Sequence, residues 1–318
     1  MSSHTSPRVI LALTASAIFL CVFAATIHAT DAGTVDAWGY NEHGQRNVPS
    51  GIAFKAVAGG FEHSLGLTAD GNLVAWGSNS YGALNVPSGN NFVAISSCQR
   101  FNLASRDDGS VVGWGLNNYN QCNTPSGVFH AIAAGEEHGL AIRADGSIAA
   151  WGRNQYGQCD VPTGNEFAAV AAAYGQSLAI RNDGTLAAWG MTSNGLSNTP
   201  AGTFQAIGCG EYHNVALRTD GSLVAWGSNE QGQCNVPQGN DFIAVSSGKF
   251  YNLSLKSDGT LVAWGLDAFD ILSVPNSGPY FAIDAGQHHG LAITPEPATL
   301  SLLAAGIGAI WMKRRRKA

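Results

Sequence analysis

An all-β ring of seven blades, a β-propeller, is the fold class this sequence predicts, on three observations. A Trp-Gly pair recurs at Trp38, Trp76, Trp114, Trp151, Trp189, Trp226 and Trp264, at spacings of 38, 38, 37, 38, 37 and 38 residues. Each pair ends a short apolar run bounded by turn residues, so each copy is one supersecondary unit with almost no insertion. The array is also cut in mid-unit: it enters at GTVDAWG (33–39) and leaves after FAIDAGQHHGLAI (281–293), which is the half missing from the entry. Joining the N- and C-terminal halves completes a seventh blade and closes the ring, whereas an open solenoid needs capping repeats, which the sequence does not show.

Taken in chain order, one unit opens on a run of small residues such as FAAVAAA (167–173), suited to the crowded inner end of a blade. A second apolar run follows and meets the third across Asp-Gly, as in VALRTDGSLVAW, a strong hairpin signal that six units keep while the first has Ala32-Gly33. The third run, LVAWG, is apolar at every position, as a strand covered on both faces must be. Along it Leu223 and Ala225 face one way, Val224 and Trp226 the other. Trp supplies a large buried area, and the next Gly permits a close backbone approach or an unusual dihedral. Asn-x-x-Gly and Asn-Val-Pro then mark turns and an outer edge where Pro does little harm to pairing. Blades of 37–38 residues suit three strands or four.

The pattern G-x-x-H-x-L-A-L followed by D-G-x-L-V-A-W-G-x-N-x-x-G-Q covers residues 33–293 and resembles the RCC1-like repeat family. The short blades are similar to those of a compact secreted member, β-lactamase inhibitor protein II. The resemblance implies a propeller and a range of roles: nucleotide exchange, protein inhibition, light sensing and scaffolding.

Composition narrows these roles. Charged residues are only 12% of the 318, and Gly numbers 40, a profile of short strands joined by tight turns. Six of the 16 basic residues lie at the ends (Arg8 and Lys313 to Lys317); without them and Glu296 the body holds 10 basic against 21 acidic residues. An acidic body without a basic stripe argues against nucleic acid as a partner.

The two ends read as addresses. Residues 1–29 form a signal peptide: Arg8, then the apolar VILALTASAIFLCVFAAT, then a small residue at Ala29 for cleavage, with Ala32 a second choice and an uncleaved anchor the alternative. The last 24 residues, PEPATLSLLAAGIGAIWMKRRRKA, hold Pro295-Glu296-Pro297, an apolar helix-forming run from Ala298 to Met312, and the basic cluster Lys313, Arg314, Arg315, Arg316 and Lys317. Fifteen residues at ~1.5 Å each reach about 22 Å, short for a span unless Trp311 and the cluster sit at the interface. The positive cluster stays cytoplasmic. This tripartite tail resembles the PEP-CTERM sorting signal, which implies transient anchoring in the inner membrane of a Gram-negative bacterium and cleavage by an exosortase-type protease. The expected organisation is therefore 1–29 signal peptide, 30–293 propeller and 294–318 sorting signal, with the mature protein at the cell surface or in the extracellular matrix.

Candidate chemistry is sparse. The G-x-x-H slot holds His63, Phe101, His138, Gln176, His213, Tyr251 and His289. Histidine in alternate blades lies too far apart for one metal, except His289 and His63 across the closure; the aromatic substitutes point to a packed position whose imidazoles bond neighbouring backbone. Cys98, Cys122, Cys159, Cys209 and Cys234 are an odd set without C-x-x-C, three of them in one repeat slot, and read as buried small hydrophobes. No nucleophile elbow, phosphate loop, HExxH or calcium loop occurs, and the pairs Glu136-Glu137 and Asp107-Asp108 read as solvated turn residues. No catalytic, metal or cofactor residue is assigned. Large side chains at variable loop positions (Tyr40, Glu42, His43, Tyr81, Tyr119, Tyr156, Phe250, Phe269 and Tyr280) are the candidate binding residues. The expectation is an exported, non-catalytic scaffold that binds an extracellular protein or an exopolysaccharide through loops of the ring. The alternatives are an inhibitor of an extracellular enzyme and a loop-built enzyme acting on polysaccharide.

Overall fold

A computed structural model describes residues 32–296. The segment expected to be a signal peptide (1–29), and Pro297, Trp311 and the basic cluster of the expected sorting signal, lie outside the described residues. Among those described, no helix is long and apolar enough to cross a membrane.

The described residues form 21 strands grouped as seven antiparallel three-stranded blades. Blade 1 comprises β2 (Phe54–Gly59), β3 (His63–Thr68) and β4 (Leu73–Gly77). Blade 2 is β5 (Phe92–Cys98), β6 (Phe101–Arg106) and β7 (Val111–Gly115). Blade 3 follows as β8 (Phe129–Ala134), β9 (His138–Arg143) and β10 (Ile148–Gly152). Blade 4 is built from β11 (Phe167–Ala172), β12 (Gln176–Arg181) and β13 (Leu186–Gly190). Blade 5 holds β14 (Phe204–Cys209), β15 (His213–Arg218) and β16 (Leu223–Gly227). Blade 6 has β17 (Phe242–Ser247), β18 (Tyr251–Lys256) and β19 (Leu261–Gly265).

Blade 7 draws on both ends of the sequence. Its strands β20 (Ala282–Ala285) and β21 (His289–Pro295) pair with β1 (Gly33–Gly39), in a register running from Gly33↔Pro295 to Gly39↔His289. One further pairing, Gly33↔Phe54, joins blade 7 to blade 1 and makes a six-stranded sheet of the two. The expected closure is therefore present, with three strands per blade. The segment after each Trp-Gly pair carries no fourth strand and makes no outer edge of the sheet.

The core is divided rather than central. Seven clusters of buried residues lie between adjacent blades; one brings Leu140 and Ile148 of blade 3 against Phe167 and Trp189 of blade 4. Each blade is thus apolar on both faces because each face meets a neighbour, which is why LVAWG shows no alternation. At about 25 cal/mol per Å² the stabilisation resides in these seven interfaces, so one defect affects two blades.

Every interface carries the same latch. Each Trp indole N–H donates to the carbonyl seven residues beyond the preceding Trp: Trp76 to Gln45, Trp114 to Ala83, Trp151 to Gln121, Trp189 to Gln158, Trp226 to Leu196, Trp264 to Gln233 and Trp38 to Ile271, at 2.8–3.1 Å. Those seven acceptor residues are all buried. The seven glycines after Trp have φ between +89° and +109°, and at Gly77 a Cβ would stand 2.5 Å from the Glu62 carbonyl oxygen. Both glycine roles expected at that position operate together.

Candidate functional site

The histidine slot belongs to the framework. His63 Nε2 meets Asn102 Oδ1 at 2.8 Å, His138 meets Ser177 Oγ at 3.0 Å, His213 meets Asn252 Oδ1 at 2.9 Å and His289 meets Ser64 Oγ at 2.8 Å. Each partner stands on the second strand of the next blade, so the expected backbone partner is in fact a side chain across the interface. Asn102 and Asn252 donate onward to the Ala83 and Gln233 carbonyls, and Ser64 and Ser177 to those of Gln45 and Gln158. Their remaining oxygen capacity is for accepting, which places the imidazole proton on Nε2. Burial pushes His138 and His213 down to about 4 and His289 to about 3, so the rings are neutral. His63 and His289 each have their own partner and do not converge on one point.

Each histidine is matched by the blade that follows it. A blade with His needs an Asn or Ser next to the slot in its successor, and the successors offer Asn102, Ser177 and Asn252 beside Phe101, Gln176 and Tyr251. Gln176 and Tyr251 reach instead to backbone carbonyls of the following blade. Seven is odd, so two His blades meet at the closure, and Ser64 serves His289 there.

The first strands of the blades surround a central channel with a cavity of 260 Å³. The small-residue run of β11 lies along it as expected, and Cys98 and Cys209 face it. All five described cysteines are free; the Cys122, Cys159 and Cys234 thiols lie 3.2, 3.3 and 3.1 Å from carbonyls six residues back, and burial raises them to about 11. Inside the channel Asp284 accepts from the Gly59 amide at 2.8 Å and Ser246 Oγ at 3.0 Å, and burial pushes its carboxyl up to about 6. No group of three or more His, Cys, Asp or Glu gathers as a metal site among the described residues.

One mouth of the channel opens among the candidate loop residues. Two kinds of segment form this face: the turns preceding the histidine slot and the loops following Trp-Gly. Tyr40 lies 4.7 Å from Phe269 and 6.4 Å from His288, ring to ring, and His288 lies 5.7 Å from Phe61. Arg100 stands 5.3 Å from the rings of both Phe61 and Tyr81, and 3.8 Å from Glu62, which also meets His43 at 3.2 Å. Across the mouth, Arg153 stacks on Tyr119 at 4.9 Å and pairs with Glu137, while Tyr156, Tyr174 and Tyr212 follow one another at 5.9 and 6.0 Å. Lys249 lies 5.3 Å over Phe250 and 3.1 Å from Glu211. Glu42 accepts from Tyr40 Oη at 2.8 Å. Tyr81, Phe269 and Tyr119 are the most exposed of the rings, at 59%, 52% and 40%.

Eight of the nine candidate loop residues therefore share one face. Tyr280 does not. It is 5% exposed, donates to Asp36 at 2.7 Å, and takes the slot that Phe54, Phe92, Phe129, Phe167, Phe204 and Phe242 fill at the start of each first strand. Glu136 also departs from expectation: it is half-buried at the channel mouth, and burial, with Glu137 and Glu211 nearby, raises its carboxyl to about 7. Phe61, Arg100, Tyr174, Tyr212, Lys249 and His288 were not singled out from sequence. They occupy the two variable positions inside G-x-x-H, and that variability was the available signal.

A further order governs the loops. Where the acceptor residue seven beyond Trp is Gln45, Gln121, Gln158 or Gln233, its Oε1 accepts the amide of the residue two before it: His43, Tyr119, Tyr156 or Gln231. Where that residue is Ala83, Leu196 or Ile271, no such acceptor exists, and Tyr81, Asn194 and Phe269 take φ of +59°, +55° and +62°. The buried residue thus sets the conformation of the exposed one.

Comparison with known proteins agrees with this architecture. The "Regulator of chromosome condensation (RCC1) repeat" family matches residues 54–83, 129–158 and 204–233, each the span from a first strand to the buried acceptor residue in a blade that carries histidine. The chain thus contains RCC1-like repeats. No curated protein matches it. Among solved structures, Prp20p of Saccharomyces cerevisiae aligns at 14% identity and a TM-score of 0.73, covering 91% of this chain and 97% of that one. Human WBSCR16 aligns at 17% and 0.69, covering 83% and 98%. The ectodomain of the Physcomitrella patens receptor kinase CR4 aligns at 22% and 0.65, covering 77% and 71%. At these identities the likeness is one of fold.

Proposed function

We propose that the protein is a non-catalytic binding scaffold of the cell exterior that holds a protein or polysaccharide on its aromatic face. The observation that carries this reading is the sorting of large side chains: eight of nine candidate residues, and six further ones, share one face of the ring, where Tyr174 and Lys249 line the channel. Tyr and Arg are the residues that dominate interface energetics, because they bury large rigid area at small entropic cost. Prp20p, of the same fold, is described with binding properties to Gsp1p and histones, which supports a binding role for such a ring.

The path of the chain supports the choice of face. Both β1 at Gly33 and β21 at Pro295 meet on the side of the Asp-Gly hairpins, opposite the aromatic face. Anchoring through the segment after Pro295-Glu296 would leave the aromatic face pointing away from a membrane. Export by the signal peptide and processing near Pro295-Glu296-Pro297 by an exosortase-type protease complete the proposal, with release to the surface or matrix.

Affinity capture tests it. Protein lacking residues 1–29 is immobilised and offered the host's extracellular proteins and exopolysaccharide. Stoichiometric retention of one protein, lost on Tyr81→Ala with Phe269→Ala, is expected for a scaffold or an inhibitor. Retention of neither class refutes the proposal, and turnover of retained glycan would make the protein an enzyme instead.

A further inference from the structure

The aromatic face shows a pattern with one gap in it. Around the ring, exposed aromatic clusters hold resident cations: Arg100 on Phe61 and Tyr81, Arg153 on Tyr119, Lys249 on Phe250. The run Tyr156–Tyr174–Tyr212 has no cation over it among the described residues, although it is the longest series of adjacent tyrosines on the face. Beside it the carboxylates show the same gap. Glu137 has Arg153 and Glu211 has Lys249, whereas Glu136 makes no ion pair or side-chain hydrogen bond among the described residues. The Glu136 amide donates to the Ala173 carbonyl, which sets the Glu136 backbone beside that of Tyr174, and both residues line the 260 Å³ cavity. Three carboxylates, two cations and three tyrosine rings without a cation leave room for one more positive group.

We propose that this corner of the channel mouth is a seat for a lysine side chain presented by a protein partner. The inference rests on the reading of this face as the binding surface and specifies what the partner brings to it. A primary ammonium on a flexible stem suits the place: it reaches into the mouth, its head meets Glu136, and its methylenes lie along the tyrosines. A partner larger than the seat follows from the surrounding arc of Tyr40, Tyr81, Tyr119 and Phe269, which a free amine would leave untouched. The unpaired, half-buried Glu136 is held up to about 7, chiefly by burial and then by Glu137 and Glu211, against the opposing Lys249 and Arg153. An incoming cation therefore draws a proton off it.

The minimal probe is n-butylammonium chloride, titrated calorimetrically into the full exported protein at pH 7 in two buffers of different ionisation enthalpy. Binding in the millimolar range is expected, with release of about half a proton per site, the share that a group titrating near 7 carries at that pH. Glu136→Gln should weaken it at least tenfold and abolish the proton release; Tyr174→Leu should weaken it several-fold and keep the release; Val128→Ala, beside a hairpin of the opposite face, should leave it unchanged. N-acetylated, C-amidated Gly-Lys-Gly should bind at least as well as the amine, and the equally blocked Gly-norleucine-Gly not at all. Absence of amine binding, or binding indifferent to Glu136→Gln in protein whose tryptophan fluorescence is native, overturns the proposal. Preference for a glucosamine oligomer over Gly-Lys-Gly also overturns it and assigns the seat to a sugar. The binding face itself stands or falls separately, on partner retention by Tyr81→Ala with Phe269→Ala.

Discussion

The two faces of the ring are made by the same seven units, yet one repeats and the other varies. On the hairpin face five blades carry one module: a basic side chain lies over the Phe of its own first strand (Arg106 on Phe92, Arg143 on Phe129, Arg181 on Phe167, Arg218 on Phe204, Lys256 on Phe242) at 5.0–5.7 Å. The adjoining Asp accepts the amide two residues on, as Asp145 does from Ser147, and the next Gly holds φ near +80°. A tight hairpin permits few residues, so six turns converged on Asp-Gly. On the aromatic face the backbone is held elsewhere, by the indole latch and the Asn-x-x-Gly loop. There Asn41, Asn79, Asn117, Asn154 and Asn229 each accept the amide five residues on, through Oδ1. The side chains between these fixed points differ from blade to blade, although their backbone is held. The face whose backbone is secured from beneath is the one on which specificity can be written.

That contrast predicts a separation of stability from binding. The largest expected effect is on the framework: Trp114→Ala, in a side chain 7% exposed, should cost about 3–5 kcal/mol and leave the Ala83 carbonyl with Asn102 as its remaining side-chain donor. Chemical denaturation measures it. A loss comparable to that of an exposed loop residue would refute the divided core.

Acid is the next largest lever. His138, His213 and His289 titrate near 4, 4 and 3 when folded, against an ordinary value of 6.5. The unfolded chain therefore binds more protons as pH falls below 6.5, and stability drops. Glu136 at about 7 and Asp284 at about 6 act oppositely, binding protons in the folded state. Three groups against two leave a net loss of about 1.4 kcal/mol per pH unit between 6 and 4.5, and His63, also pushed down by burial, adds to it. Melting temperature against pH checks the sign: a protein more stable at pH 4.5 than at pH 6.5 would show that these imidazoles are not neutral latches. On the hairpin face Gly109→Ala, at φ +80° and with the Val128 side chain 2.6 Å from the new Cβ, should cost about 1–2 kcal/mol. Partner binding should not change.

Much of this was readable in the sequence, because repetition multiplies a weak signal. A single Trp-Gly says little, but seven at near-constant spacing fix blade number, closure and the buried face of LVAWG. The hidden part is relational. Nothing within one unit says that a Trp indole will find the carbonyl of the preceding loop, or that His63 will be matched by Asn102 rather than by backbone. Tyr280 misled because the same aromatic character serves a loop and the Phe slot; aligning it with Phe242, which starts the equivalent strand, would have placed it inside. Glu136 misled because adjacent carboxylates usually lie in water, and only the ring brings one of them to the channel mouth.

The smallest effect tests the finest point of the contrast. Gln158 is buried, accepts the Tyr156 amide through Oε1 and leaves its Nε2 without a partner. Leu196 fills the same slot one blade on, where Asn194 adopts φ +55°. Gln158→Leu should therefore move Tyr156 into the left-handed region while changing stability by no more than about 1 kcal/mol, since the lost hydrogen bond is offset by removal of an unsatisfied amide. The structure of the variant reads the dihedral directly. Because Tyr156 packs against Gly175 and begins the tyrosine run, butylammonium binding should weaken although no residue of the seat has been altered. A Tyr156 that stays in place would mean that packing on Gly175, and not the buried glutamine, positions the exposed ring. The inner layer would then no longer dictate what the variable face presents.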